Sequence, residues 1–442
     1  MSIAFLVYPA EDKPGRRKNK SFDWTTNAGA YMVIDVLRRS GRDVKFCSPE
    51  SAKEHDIVLV SLTSTFDVYN FIRAVGRKKS WRKRDFTVVV GGFGLQNVVP
   101  LRHYIDYAVF GRAENIITDL VSAIEQKRDF EHESVLNMAD GIRPVKVAQP
   151  KELYPYKLDT QPRAYKEREV GCPRKCFFCH YSFARKHIKG HSGQFYGAMD
   201  WGPIKEVLFD RLLEDSDRKS KTRTALDGFS ERLRFAFNKR ISNEEIVETL
   251  NRASREWESS CVWLTVYHIG SYPTETDEDR AEFAAILSKV EAKKQIYMHV
   301  HVSPFRPSPL TPSAYLPANI DFDWRRFQSK TILKKDNLNA FFLPSMESPF
   351  SLLQSLLVER ATEETDEIIE KICFSKKLGR MKAGQKLAAL QRNFDLTPYT
   401  REYSLEEKLP TWYVEGHIPQ ETVRKMAAKL KESLGLADGN RR

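Results

Sequence analysis

The sequence lacks any apolar run near the roughly 18 residues that a membrane-spanning helix needs, so no helical membrane anchor is expected. Internal repeats and low-complexity tracts are absent too. The opening segment MSIAFLVYPAED has neither a basic leader nor a small-residue cleavage site. Its apolar run therefore reads as a first β-strand and not a signal peptide, and a cytoplasmic protein is expected. Cysteine is scarce, with six in 442 residues, which excludes a disulfide scaffold. An acidic excess is also missing: Lys and Arg number 71, Asp and Glu 59, and the net charge is +12. That balance admits a polyanionic partner such as nucleic acid, and equally a basic solvated surface.

What is present is ordinary for a folded chain: 41% apolar and 29% charged residues. The length suggests roughly two to four domains. Residues 1–125 alternate short β-branched runs with helical patterns. Ile3–Tyr8, Val44–Cys47, Ile57–Leu62, Phe86–Val90 and Tyr107–Phe110 are strand candidates; Ala28–Arg39 and Glu114–Glu125 are helices. Such alternation implies crossover units and a parallel sheet, with ligands beyond the carboxyl ends of the strands. Residues 131–165 read as a linker. A second α/β stretch has strand candidates Thr222–Leu226, Val262–Tyr267 and Ile296–Val302, with helices Pro203–Glu214, Asn243–Glu256 and Thr276–Glu291 between them. Beyond about 340 the pattern is helical, best at Glu359–Lys371, Lys376–Leu390 and Gln420–Leu434.

Three cysteines share one short stretch, Gly171-Cys172-Pro173-Arg174-Lys175-Cys176-Phe177-Phe178-Cys179-His180. Three thiolates at C-x3-C-x2-C spacing can hold three irons of a [4Fe–4S] cluster, leaving one iron open to a small molecule. Zinc is the alternative; it usually wants four protein ligands, and His180 directly follows Cys179. Cys47, Cys261 and Cys373 are isolated and read as core thiols.

This spacing, with an aromatic residue before the third cysteine, resembles the signature of radical S-adenosylmethionine (radical SAM) enzymes. The resemblance implies that Cys172, Cys176 and Cys179 bind the cluster. It implies that the amino and carboxyl groups of S-adenosylmethionine chelate the open iron. One electron from an external donor then yields a 5′-deoxyadenosyl radical that abstracts hydrogen from substrate. Leu226-Asp227-Gly228-Phe229-Ser230-Glu231-Arg232-Leu233-Arg234, continuing to Asn238-Lys239, resembles the D-G-x-S-E-x-x-R stretch of the branch with a cobalamin-binding-like N-terminal domain. Gly270 to Glu275 and Ser303 to Pro307 resemble later strand ends of that branch, and Val88–Gly92 with Gly111 to Glu114 its first domain. The implied fold class is α/β: a cobalamin-type Rossmann domain over 1–130, a linker over 131–165, a partial (β/α) radical SAM barrel over 166–340 and a helical C-terminal region over 341–442. Two departures stand out. The D-x-H-x-x-G signature is absent, its place taken by the basic loop Glu11–Phe22, which puts cobalamin in doubt. The G-G-E motif for the cofactor's amino group is also missing; Asp200, in Met199-Asp200-Trp201-Gly202, stands about where it belongs.

By the same resemblance Asp200, Ser230, Glu231, Arg234 and Gly270 are candidate S-adenosylmethionine contacts, Arg234 as a carboxylate clamp. Tyr267, His268, His299 and His301 compete for the barrel interior; alternation puts His299 and His301 on one face. Basic clusters lie at Arg16–Lys20, Arg77–Arg84 around Trp81, Arg185–His187 and Arg218–Arg223. Together with the charge they favour DNA as substrate. Within the branch the sequence is similar to phage enzymes that hypermodify thymidine, which implies a host-cytoplasmic isomerase that re-joins an N-linked glycine through its α-carbon. The alternatives are a cobalamin-dependent methyltransferase or oxidoreductase on a small molecule, and a first domain that serves purely as a binding module.

Overall fold

The computed structural model describes residues 1–8, 28–156, 158–160, 163–167, 169–189, 198–201, 221–257, 260–323, 327, 331–343 and 347–436. Its first layer is a sheet of β1 (Ile3–Leu6), β2 (Val44–Cys47), β3 (Ile57–Ser61), β4 (Thr87–Gly91), β5 (Tyr107–Val109) and β6 (Val135–Asn137). The order is β2-β1-β3-β4-β5-β6, parallel except for β6. Every residue of β1 and β3 is buried, as expected of parallel strands covered on both faces. Helices α1 (Ala28–Arg39) and α4 (Ile117–Glu125) cover one face through Ile34, Leu37, Leu120 and Val121. The other is met by α2 (Phe66–Val75) and the short α3 (Lys79–Arg82). The segment expected to be a linker thus supplies β6, because Val135 and Leu136 are fully buried.

Beyond β6 come β7 (Val145–Lys146), β8 (Leu158–Thr160) and β9 (Arg163–Glu167). Strands β10 (Glu169–Val170) and β11 (Ile188–Lys189) pair antiparallel, and the cysteine loop and α5 (His180–Ala184) lie between them in sequence. Strand β12 (Ala198–Trp201) runs parallel to β9. A third sheet sets β13 (Lys221–Ala225), β14 (Cys261–Gly270), β15 (Gln295–Pro304) and β17 (Leu338–Phe342) in parallel, with β16 (Thr331–Lys335) antiparallel at the edge. Among the described residues no ladder joins β12 to β13, so the expected barrel strands fall into two sheets. Helices α6 (Glu231–Ala236), α7 (Asn243–Glu256) and α8 (Asp277–Ser288) connect the third sheet's strands. Burial alternates strictly along β14 and β15. Val262, Leu264 and Val266 pack with Met298 and Val300 in the core shared with α7 and α8, while Trp263, Tyr267, Tyr297, His299 and His301 occupy the opposite face.

The C-terminal region holds α9 (Pro349–Glu359), α10 (Thr365–Phe374), α11 (Lys376–Gly379), α12 (Ala383–Asn393), α13 (Thr397–Thr400), β18 (Val414–Glu415) and α14 (Gln420–Ser433). It is not an appendage. Leu353, Leu356, Ile368 and Ile369 join Val68, Phe71 and Ile72 of α2 in the largest core cluster, and β18 pairs with β7. The helix expected from Glu359 begins only at Thr365. Before it, buried Arg360 donates to the carbonyls of Ala314, Leu316, Tyr399 and Arg401. No described helix is long and apolar enough to cross a membrane.

Candidate metal and cofactor site

The cysteine loop is shaped before any metal arrives. Gly171 has φ 73°, and a Cβ there would lie 2.4 Å from the Lys186 carbonyl oxygen, so only glycine fits. The Gly171 N–H donates to Tyr181 Oη at 2.9 Å. Cys179 N–H donates to Cys176 O, and Phe177 N–H to Phe237 O, each at 2.9 Å. Asn238, itself at φ 58°, donates its amide to the carbonyls of Arg174 and Lys175. The loop is thus held by the C-terminal end of α6.

Cys176 is buried, and Cys172 and Cys179 are half-buried. Burial pushes the Cys176 thiol up to about 12, and the other two thiols add to the rise. Burial likewise raises Cys172, where Cys179 contributes. Lys239 opposes the trend at Cys172 and Cys176. Its ammonium is 2.6 Å from Asp227 Oδ2, both side chains nearly buried. Three thiols within electrostatic reach of one another, with a buried cation beside them, suit an anionic cluster held by thiolates. Among the described residues no three His, Cys, Asp or Glu side chains converge as on a single ion; ligands to three separate irons need not converge. His180, the candidate fourth ligand for zinc, directs Nδ1 to the Pro309 carbonyl at 2.9 Å. Its ring packs edge-on against Phe93 at 5.3 Å. The bond to Pro309 leaves Nε2 free, so the geometry at His180 does not decide against zinc; it is the lack of three side chains converging on a single ion among the described residues that fits a cluster better than a tetrahedral site.

Phe178, Cys179 and His180 line a cavity of about 380 Å³ together with Ile269, Ser303 and Arg306, within the usual size range for a small-molecule site. The other residues expected at the cofactor are placed differently. Ser230 is fully buried: its hydroxyl donates to Asp279 Oδ1 at 2.6 Å and accepts from Leu233 N–H, capping α6. Glu231 accepts the Asn243 N–H at 2.6 Å, at the start of α7. Arg234 is fully buried and donates to the carbonyls of Ile241, Gly228 and Phe229 and to Asn243 Oδ1. The Arg234 contacts are thus with the protein, to three carbonyls and one amide oxygen. A Cβ on Gly270 would lie 2.9 Å from Val302 Cγ1, so that glycine serves strand packing. The Asp200 side chain lies outside the described residues; its backbone pairs with Lys166. The motif from Asp227 to Lys239 is therefore chiefly a lock that carries Asp227, Asn238 and Lys239 to the cysteines.

His268 faces the helices, stacked on Phe229 at 4.7 Å, and burial lowers it to about 3. His299 and His301 share the other face, His301 stacked on Tyr267 at 5.4 Å. Cys261 accepts from Trp263 Nε1, and burial pushes Cys373 up to about 12. Of the basic clusters, Arg16–Lys20 and Arg218–Lys219 lie outside the described residues. In the second, Trp81 is buried with its N–H on the Pro49 carbonyl, so it is no stacking platform. Arg84 pairs with Asp106 and Lys78 with Glu50. Arg185 lies over the rings of Phe93 and Tyr181.

A second cavity, of about 350 Å³, opens at the carboxyl ends of the first sheet. It is lined by Leu62, Gly92, Gly111, Met32 and the buried Arg112, whose guanidinium grips both oxygens of Glu167. Among the described residues its lining contains no histidine.

No protein-family model matches the chain. An uncharacterized protein of Methanocaldococcus jannaschii, MJ0966, is 25% identical over 310 residues, taking in 59% of this chain and 68% of that one. The apo form of the cobalamin-dependent S-adenosylmethionine radical enzyme OxsB is similar at TM-score 0.30 and 12% identity, over 85% of this chain and 61% of OxsB. The same enzyme with aqua-cobalamin and S-adenosylmethionine bound gives TM-score 0.29 and 12% identity, over 98% of this chain and 56% of that one. The chain spans about three fifths of the length of that enzyme.

Proposed function

We propose that the chain is a radical SAM enzyme that modifies a nucleic-acid base, with Cys172, Cys176 and Cys179 as the ligands of a [4Fe–4S] cluster. The carrying observation is the loop itself: three coupled thiols at C-x3-C-x2-C spacing, beside the Asp227–Lys239 pair, at the wall of a cavity. When bound and reduced, the cluster supplies the electron that cleaves S-adenosylmethionine to a hydrogen-abstracting 5′-deoxyadenosyl radical. The chain's own residues do the rest. Asn238 and Tyr181 fix the loop, Lys239 offsets thiolate charge, and Phe178 and Ile269 wall the cavity. In this reading β9, β12, β13, β14, β15 and β17 are successive strands of one partial barrel.

The net charge of +12 supports a polyanionic substrate. The specific reaction proposed is isomerisation of a glycine-modified thymidine in DNA, from nitrogen to α-carbon linkage. The test is anaerobic reconstitution with iron and sulfide counting, then incubation with S-adenosylmethionine, a one-electron reductant and glycine-modified DNA. A four-iron cluster, 5′-deoxyadenosine and an isomeric nucleoside are expected. Zinc alone, with no 5′-deoxyadenosine, overturns the enzyme class; 5′-deoxyadenosine without the isomer overturns only the substrate.

A second reading is favoured by the cavity at the first sheet's strand ends, where such sheets bind ligands. A corrinoid there, without a histidine ligand, would make the chain a methyltransferase or oxidoreductase on a small molecule. Corrin absorbance bands that persist after gel filtration of the loaded protein would select it.

A further inference from the structure

The cavity meets the cysteine loop along one stretch only. Among the described residues its lining takes in Phe178 to Tyr181, and nothing from Cys172 to Cys176. The turn between those two cysteines reaches solvent instead: Pro173 is exposed, and Arg174 and Lys175 are half-buried.

Around that turn the fold gathers cations from separate stretches of chain. Lys175 belongs to the turn, where it sits at φ 50°. Arg240 is exposed just beyond α6, with Nε 3.4 Å from Asn238 Oδ1. The amide of the same Asn238 donates to the carbonyls of Arg174 and Lys175. Lys186 is exposed just beyond α5, and its carbonyl is the group that Gly171 abuts. His417 packs on α5, its N–H 2.9 Å from the Phe183 carbonyl. Burial, together with the charges of Lys175 and Lys186, lowers its imidazole, so both ammonium groups lie within electrostatic reach of one ring. Among the described residues Lys175, Lys186 and Arg240 have no carboxylate partner. The carboxylate that acts on Cys172, Glu169, is taken by His187 at 2.5 Å. Like charges gathered without counter-charges repel one another, and a partner of opposite sign relieves that.

Two kinds of polyanion could meet the patch. A nucleic-acid substrate has to present its base in the cavity, which this turn does not line, and it engages a row of phosphates more than one compact cluster of cations. Electron-transfer partners meet over small interfaces and are steered by complementary charge. The patch surrounds the turn that joins two of the three cysteines, which favours the second kind.

We propose that Lys175, Lys186 and Arg240 form the docking face for an acidic protein that carries a low-potential one-electron centre. One electron passes from that centre to the [4Fe–4S] cluster. The donor is oxidised by one electron and the cluster reduced by one, and no bond forms or breaks in either protein. The inference rests on the radical SAM reading for the cluster, and on the patch alone for the docking.

The test uses the reconstituted full-length protein and, as probe, a plant-type [2Fe–2S] ferredoxin of net negative charge, beside the same ferredoxin with its surface carboxylates amidated. Affinity is measured by titration at low and high salt, and electron delivery by stopped-flow absorbance of the cluster. We expect the native ferredoxin to bind at least ~10-fold more tightly than the amidated one, an advantage that salt removes. Lys186→Glu with Arg240→Glu should cost at least ~10-fold in ferredoxin affinity and slow reduction by ferredoxin, while iron content and reduction by dithionite stay at the wild-type level. The same change of charge at Lys45→Glu with Lys53→Glu, exposed in the first domain, should weaken binding far less. Equal affinity for the two ferredoxins overturns the docking face, as does a double variant at Lys186 and Arg240 that binds like wild type. Reduction by dithionite slowed to the same degree also overturns it, because the two cations would then support the loop and not a partner. A short DNA duplex that displaces ferredoxin, and loses its own affinity in that variant, reassigns the face to nucleic acid and overturns the proposal. Failure of ferredoxin to dock on cluster-loaded protein counts against this inference alone; failure to load iron removes the reading beneath it.

Discussion

Lys239 sits where two thiols, Cys172 and Cys176, and a carboxylate compete for one cation. Replacing it with Met leaves Asp227 buried without its partner, a change that typically costs about 3–5 kcal/mol. Lys239→Met should therefore lower the urea midpoint of the apo-protein. In the loaded protein it should drive the cluster's reduction potential more negative, since nearby positive charge favours the reduced form. An unchanged potential would count against its placement at the cluster. Glu359 makes a second residue-scale prediction. Burial raises its carboxyl to about 7, whereas an unfolded chain releases that proton near pH ~4.3. Between those values the folded state holds more protons, so this group's contribution to stability falls as pH rises, by at most about 1.4 kcal/mol per pH unit, and levels off above 7. His180 and His268, lowered to about 4 and about 3, tilt the other way below pH ~6.5. The informative quantity is thus the difference between wild type and Glu359→Gln in urea midpoints from pH 4.5 to 8. At this scale the three cysteines were legible because their spacing is itself the signal. Arg306 and Glu359 were not, because lone charged residues on separate elements carry no pattern. The hydrogen bonds of Arg234 within the protein were not legible either, because a motif match does not reveal which donors are already engaged.

Among the elements, those that bury a periodic face could be read in advance. Helix α1 and strand β2 fall where the pattern puts them, and β14 and β15 extend the expected runs by one residue at the start and by three and two at the end. Helix α9 was missed. It is buried on nearly every side, so Phe350 to Val358 shows no amphipathic stripe, and only the Ser348 cap before Pro349 marked its start. The β16–β17 hairpin was missed for a related reason: Thr331–Lys335 is polar and partly exposed, and edge strands carry a weak alternating signal. The cysteine loop itself gives the element-scale prediction. Gly171→Ala would press a methyl group into the Lys186 carbonyl at a positive φ. We expect a loss of about 2 kcal/mol or more, together with iron loading well below that of wild type at equal protein concentration. Full loading would show that the loop tolerates the shift.

For the molecule as a whole, the +12 charge already counts every carboxylate, but it does not say which cations are free to meet a phosphate. Arg84, Lys78 and Arg42 are tied to Asp106, Glu50 and Glu125. DNA binding, if it follows the proposed function, should therefore show a shallow salt dependence, with a log–log slope matching a few phosphates and not many. A slope near −10 would place the contacts on segments beyond those described. Truncation is a sharper test of the architecture. A chain ended at residue 340 would strip Leu353, Leu356, Ile368 and Ile369 from the core around α2. It should aggregate on expression even though its first sheet is intact. A soluble, cooperatively unfolding fragment would refute that dependence.

The contact between α2 and α9 also sets a timetable. Tyr69 Oη donates to the Gln354 carbonyl across 285 residues of sequence. At roughly 5–20 residues per second of synthesis, about 15–60 seconds pass between the emergence of these two partners from the ribosome. During that interval one flank of the nascent first domain is bare, with Val68, Phe71 and Ile72 waiting for their cover. A chain of this design should lean on holdase chaperones while it is being made. Its yield in a cell-free system should rise when such a chaperone is added during translation rather than after it.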